Sequence, residues 1–253
     1  MAARLQTAPR VEPRVYPAGR AVVLHGIAAP ELAGRRLVVE GRRVQAVRFG
    51  RLALVIAFVH QNDYTGDELE RHRCDPLWLR AEARIHERAV QRAGAQAAIV
   101  PARLLTVFEH PAALEETATE FYARMCRSLT RLGGKQEFAL HAYAGPHAAP
   151  GGESYLLRVS AHATRSTRVA LPKAKDDVAR ELKEIWQTCG TLATAVRRIE
   201  GSPARGLLGS LALLVPESEA ETLKLHVSNA SLGAAAHGVT YYLEGPRAPF
   251  SFV

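Results

Sequence analysis

Cysteine is scarce in this 253-residue chain. Cys74, Cys126 and Cys189 are far apart and form no CxxC pair, which excludes a disulfide ladder. Free thiols in a cytosolic protein are the simplest account. Long apolar runs are also missing. The longest, residues 52–59, is far too short to cross a bilayer as a helix, so no membrane is expected. Residues 1–19 place Arg4, Arg10 and Arg14 among Pro9, Pro13 and Pro17 with no apolar stretch. They read as a flexible basic tail and not a secretory signal. Signature motifs of catalysis are absent as well: there is no P-loop, no GxGxxG after a strand, no HExxH and no GxSxG. No catalytic residue, cofactor or metal ligand is therefore expected.

What is present is apolar content and positive charge. Hydrophobic residues make up 47%, enough to fill two cores. The formal net charge is +8, with Arg35, Arg36, Arg42, Arg43, Arg48 and Arg51 crowded into one stretch. Such a balance suits an acidic partner, whether protein, nucleic acid or membrane surface. It also suits an ordinary solvated face. No aromatic stacking motif accompanies the arginines, so nucleic-acid binding is the weaker reading.

The pattern along the chain predicts two domains, residues 20–133 and 134–253. In the first, residues 21–27 form a strand. Residues 37–39 and 44–49 flank Glu40-Gly41-Arg42-Arg43 as a hairpin. Residues 52–59 form a buried central strand, and Asn62, Asp63 and Gly66 break the pattern. Asp75-Pro76 caps a helix running to about Ala93, with Trp78, Ala81, Ile85 and Ala89 on its buried face. Pro111 opens a second long helix, ended by Gly133-Gly134, with Leu114, Ala118, Phe121, Met125 and Leu129 inward. In the second domain, strands at 137–143 and 155–160 flank a loop over 145–152. A helix over 175–200 follows, with Val196 and Ile199 inward. Then come a strand at 207–215, a helix at 217–235 and a strand at 239–243. Strands mixed with helices on one side predict an α+β sandwich.

Isolated polar residues have bland readings. His86 sits among Leu79, Ala83 and Val90 and reads as a packed histidine more readily than as a base. Glu115-Glu116 and Asp176-Asp177 occupy first helical turns, where negative charge is favourable anyway. Trp78 and Trp186 lie on apolar helix faces and read as core. The last residues are harder to dismiss. Tyr241, Tyr242, Phe250 and Phe252 crowd aromatics into a chain end, which is normally polar. Two prolines exclude a helix there and predict an extended tail, docked on its own domain or on a partner.

These pieces resemble the gas vesicle GvpL/GvpF proteins over nearly the whole chain. Val23-Leu24-His25-Gly26-Ile27 is similar to their opening Tyr-Leu-Tyr-Gly-Ile strand. Asp75-Pro76-Leu77-Trp78-Leu79, with His86 following, is similar to their Asp-x-x-Trp-Leu…His helix. Residues 99–108, with Arg103 inside, resemble Val-Val-Pro-x-Arg-Phe-Gly-Thr-Val-Phe. Glu137-Phe138 to Tyr143 resembles a Glu-Trp…Lys-Val-Tyr strand, and Tyr155-Leu156 a Gly-x-x-Tyr-Leu strand. Residues 245–253 resemble a Gly-Pro-Trp-Pro-Pro-Tyr-Ser-Phe ending. Departures are His25 for Tyr, Leu104-Leu105 for Phe-Gly, Arg247 for Trp, Ala248 for Pro and Phe250 for Tyr.

The resemblance implies a non-enzymatic accessory or minor structural protein of gas vesicles, found in the cytoplasm and on the vesicle. It implies binding to the small hydrophobic shell protein and to other gas vesicle accessory proteins. It also implies a second domain with a modified ferredoxin-like fold. Partner contacts are expected at Arg103, Tyr241, Tyr242, Arg247, Phe250 and Phe252. A basic nucleic-acid-binding module, or a divergent homologue serving another assembly, is the alternative.

Overall fold

The computed structural model describes residues 18–144, 175–199, 206–234 and 238–253. The expectations for the basic tail, the 145–152 loop and the 155–160 strand lie outside the described residues. The protein is a mixed α+β chain with two sheets and, among the described residues, seven α-helices. It divides into two compact units: Met1–Gly133 with Val253, and Gly134–Phe252.

The first unit is built on an antiparallel sheet of β1 (Arg20–Ala28), β2 (Arg36–Val39), β3 (Arg42–Phe49), β4 (Leu52–His60), β5 (Ile99–Pro101) and β6 (Val107–Phe108). The spatial order is β2-β3-β4-β1-β5, with β6 also on β1. The β2–β3 hairpin turns at Glu40-Gly41, both at positive φ (49° and 78°). That is the geometry whose twist matches the strands, and glycine suits its second position. β4 is apolar from Leu52 to Val59 because helices cover both faces of the sheet.

On one face, α4 (Pro111–Glu120) and α5 (Tyr122–Leu132) place Leu114, Ala118, Tyr122 and Cys126 against Leu24, Leu52, Leu54 and Ile56. On the other lie α1 (Gln61–Tyr64), α2 (Gly66–Arg73) and α3 (Pro76–Gly94). Asp75 starts α3 as expected, its carboxylate accepting from the Leu77 amide at 2.9 Å.

Two expectations are corrected in this unit. The segment around Asn62 and Gly66 is two short helices and not a simple break. The single helix expected from Pro111 is two, divided at Phe121 (φ −96°, ψ 10°). The break moves the buried stripe to Tyr122 and Cys126 and leaves Phe121 38% exposed.

The second unit carries β7 (Lys135–Ala144), α6 (Lys175–Leu192), β8 (Ala195–Arg198), β9 (Leu207–Pro216), α7 (Ala220–Ala234) and β10 (Val239–Arg247). Its sheet runs β10-β7-β9-β8, every pair antiparallel. One sheet face presents Phe138, Leu140, Leu211, Leu213 and Tyr241 to Ile185 and Cys189 of α6 and Leu223 and Val227 of α7. Each such fully buried Phe or Leu contributes about 1.5–3 kcal/mol.

The helix expected to reach residue 200 stops at Leu192. Thr194 donates its amide to the Leu214 carbonyl at 2.7 Å, and Ala195–Arg198 then pairs with β9. Ladder hydrogen bonds outweigh a helical apolar spacing that was real but local. Val196, expected inward, is 43% exposed. The tail is also corrected. It continues β10 as far as Arg247 and ends in a 3-10 turn, Phe250–Phe252, in place of an extended strand.

Candidate functional site

β7 places alternate residues on opposite sides of its sheet. Phe138, Leu140 and Ala142 face the helices, so Glu137, Ala139 and His141 take the other side. Glu137 is fully buried there. A carboxylate out of water needs its lone pairs satisfied, and the chain end supplies the donors. Arg247 Nε and Nη2 donate to Oε1 at 3.0 and 2.6 Å. Ser251 donates its hydroxyl to Oε1 and its amide to Oε2, both at 2.7 Å. From β8, Arg197 Nη1 donates to the Ser251 carbonyl at 2.6 Å and lies over the Phe252 ring at 5.6 Å. The last turn is thus clasped on its own unit, with Phe252 2% exposed.

Of the residues expected at partner contacts, Arg247 therefore binds Glu137, Phe252 is buried with Arg197 over its ring, and Phe250 is half-buried. Tyr241 and Tyr242 part company. Tyr241 joins the helix-facing core. Tyr242 points the other way and stacks on His141 (centroids 6.3 Å, 22°), whose Nδ1 is 2.8 Å from Ser210 Oγ. Glu137 was the residue that reasoning from pattern missed. One signal was available: a glutamate at the head of an otherwise apolar strand, inside the quoted Glu-Phe motif.

Arg103 belongs to the first unit, on a turn between β5 and β6. Thr106 closes that turn by donating its hydroxyl to the Arg103 carbonyl at 2.8 Å, and Leu105 holds φ 59°. The turn is fixed from below by two buried histidines. Alternation along β1 puts His25 on the side of Ala21 and Val23, toward α3, and the irregularity between Leu24 and Gly26 leaves it without a partner on β4. The Ala102 carbonyl can only accept, so His86 donates from Nε2 (3.1 Å). Its Nδ1 is then the acceptor for Nδ1–H of His25 (3.2 Å). The Ala102 amide donates to the His25 carbonyl at 2.9 Å. Burial lowers His25 to about 3, with the neighbouring His86 and Arg42 adding to the shift. Burial lowers His86 to about 4, against upward pulls from the Ala102 carbonyl and Glu82. Both rings are neutral at pH 7, as suits packed histidines.

One turn earlier on α3, Glu82 is buried and held by Arg42 of β3. Arg42 Nη1 and Nη2 donate to the two carboxylate oxygens at 2.6 and 2.7 Å. The Tyr64 hydroxyl donates to Oε1 at 2.7 Å and accepts from Arg42 Nη2 at 2.7 Å. These residues floor a hollow of ≈ 510 Å³, also lined by Arg20, His72 and Trp78. His72 stacks on Trp78 at 4.8 Å. Burial, then Glu82, raises the Tyr64 hydroxyl well above its ordinary value. The carboxylate is bidentate to a guanidinium and the phenol is a poorer acid than usual. The set ties β3 to α1 and α3, and offers no activated base or nucleophile. Arg42, expected within a basic face, is thereby taken inward.

The comparisons with known proteins agree with this architecture. The family model described as "Gas vesicle synthesis protein GvpL/GvpF" matches residues 21–253. A relative named gas vesicle protein L, from Streptomyces sp. (strain CB03234), is 28% identical over 229 residues, covering 84% of each chain. Two crystal structures share the fold. GvpF from Anabaena sp. PCC7120 has a TM-score of 0.64 at 13% identity, over 92% of this chain and 98% of that one. GvpF from Microcystis aeruginosa has a TM-score of 0.61 at 14% identity, over the same shares. Sequence motifs, two-sheet architecture and family match converge: the chain belongs to the gas vesicle GvpL/GvpF family.

Proposed function

We propose that this protein is an accessory or minor structural component of gas vesicles that binds the small hydrophobic shell protein and assists assembly. One observation carries the reading beyond family membership. The buried charged groups at both motif sites are consumed internally: Glu82 by Arg42 and Tyr64, Glu137 by Arg247 and Ser251. Such networks hold backbone shape. The Glu137 network holds the chain end, and the His25–His86 pair holds the Arg103 turn, where Arg103, Tyr242 and Phe250 keep exposed or half-exposed side chains. A shaped surface is what a binding protein needs.

The second unit is read as a modified ferredoxin-like fold. The order β10-β7-β9-β8, with every pair antiparallel and two helices on one face, supports that reading. Other gas vesicle accessory proteins are further partners on this account. The test is co-purification of the tagged chain with co-expressed shell protein. Retention above an untagged control supports the proposal. Elution without shell protein discards it.

A further inference from the structure

The arginines that reasoning from composition picked out lie in the hairpin region, yet another group is better placed for recognition. On α5, Arg124, Arg127 and Arg131 recur at helical spacing and are exposed. Arg103 joins them from its turn around a single depression. The floor is apolar, with Ile27, Met125 and Phe121 among its residues, and no acidic side chain lines it. Arg103, Arg124 and Arg127 form no ion pair among the described residues. Like charges three and four apart weaken a helix, so this stripe is a local liability to α5. It becomes an asset only against negative charge. Met125 and the 38% exposed Phe121 provide adaptable and aromatic contact beneath it.

We propose that this depression docks an acidic amphipathic helix of a partner protein, its carboxylates on the arginine rim and its apolar face on Phe121 and Met125. The floor favours such a segment over nucleic acid, because the arginines have no exposed row of stacking rings beside them. It favours a protein helix over a lipid surface, because the apolar lining forms a depression ringed by arginines and not a broad apolar helix face. The proposal deepens the assembly reading and rests on it only for where the partner is found.

The test uses the full chain and a labelled synthetic helix carrying glutamates on one face and leucines on the other. Its scrambled isomer, a polyglutamate peptide, a single-stranded oligonucleotide and phosphatidylserine vesicles are the comparators. The amphipathic peptide is expected to bind most tightly and more weakly as salt rises. Arg124→Glu with Arg127→Glu is expected to weaken it about tenfold or more, and the Arg→Gln pair by less. Both positions are exposed, and thermal melts of each variant check folding. Equal binding of the scrambled or polyglutamate peptide, preference for oligonucleotide or vesicles, or no loss in the charge-reversed variant overturns the proposal. Co-purification with shell protein separates the two readings. Peptide binding without shell capture leaves the cleft standing and sinks the assembly role. Shell capture without peptide binding does the reverse.

Discussion

Arg247 and Glu137, 110 residues apart, are joined by two hydrogen bonds to a single carboxylate oxygen inside the second unit. The pair fastens the end of the chain to the first strand of its own sheet. Removing the guanidinium strands a buried carboxylate, which costs far more than a surface ion pair contributes.

Arg247→Met is therefore expected to destabilise the protein by about 3–5 kcal/mol, and Glu137→Gln by less, since the amide needs less solvation. The double variant should be more stable than the two losses added together predict. Urea melts check this; strict additivity would mean the two residues do not interact.

Gly245, beside this clasp, holds φ 132°, and a Cβ there would lie 2.9 Å from the Glu137 carbonyl oxygen and 2.8 Å from the Phe138 ring. Gly245→Ala is expected to cost about 1–3 kcal/mol. A thermal melt unchanged from the parent protein would count against the described path of β10.

His25 and His86 make stability fall in acid. Their folded values, about 3 and about 4, lie below the ordinary 6.5. Above 6.5 neither state is protonated and the full stability is present. As pH falls below 6.5 the unfolded chain takes up protons that the folded chain refuses. Each histidine then removes about 1.4 kcal/mol per pH unit. The loss levels off near 4 for His86 and near 3 for His25. Arg42 and Glu82 face the pair and are included in these shifts. The urea midpoint should drop between pH 7 and pH 5, and His25→Phe should flatten that slope by about half. An unaltered slope would show that the pair is not the sensor.

Arg42→Met leaves Glu82 buried with only the Tyr64 hydroxyl. A loss of about 3 kcal/mol is expected, with little change in secondary structure by circular dichroism. A near-neutral effect would mean that the hollow is wetter than its packing indicates.

The readable parts of the fold are those set by neighbours in sequence. Asp75-Pro76 carries its own capping chemistry, and Glu40-Gly41 its own turn geometry. The apolar run of β4 announces a strand covered on both faces. The misread parts depend on distant partners. Val196 keeps helical spacing with Leu192, but the edge of β9 offered ladder hydrogen bonds and took it. Glu82 and Glu137 look like solvent residues until Arg42 and Arg247 arrive from 40 and 110 positions away. The aromatic tail was visible, but whether it docked inward rested on Glu137, whose role no local pattern reveals. Arg103 was picked out only through the family motif. The spacing of Arg124, Arg127 and Arg131 was legible along the chain, but that Arg103 meets them came from folding.

The central claim is that this chain serves gas vesicle assembly through its surfaces. The most direct measurement is vesicle yield, followed as pressure-sensitive light scattering, in cells carrying the other gas vesicle genes with and without this one. The account predicts that yield collapses without the chain and returns with the parent protein, but not with the Arg124→Glu, Arg127→Glu variant. Undiminished yield in its absence would contradict it.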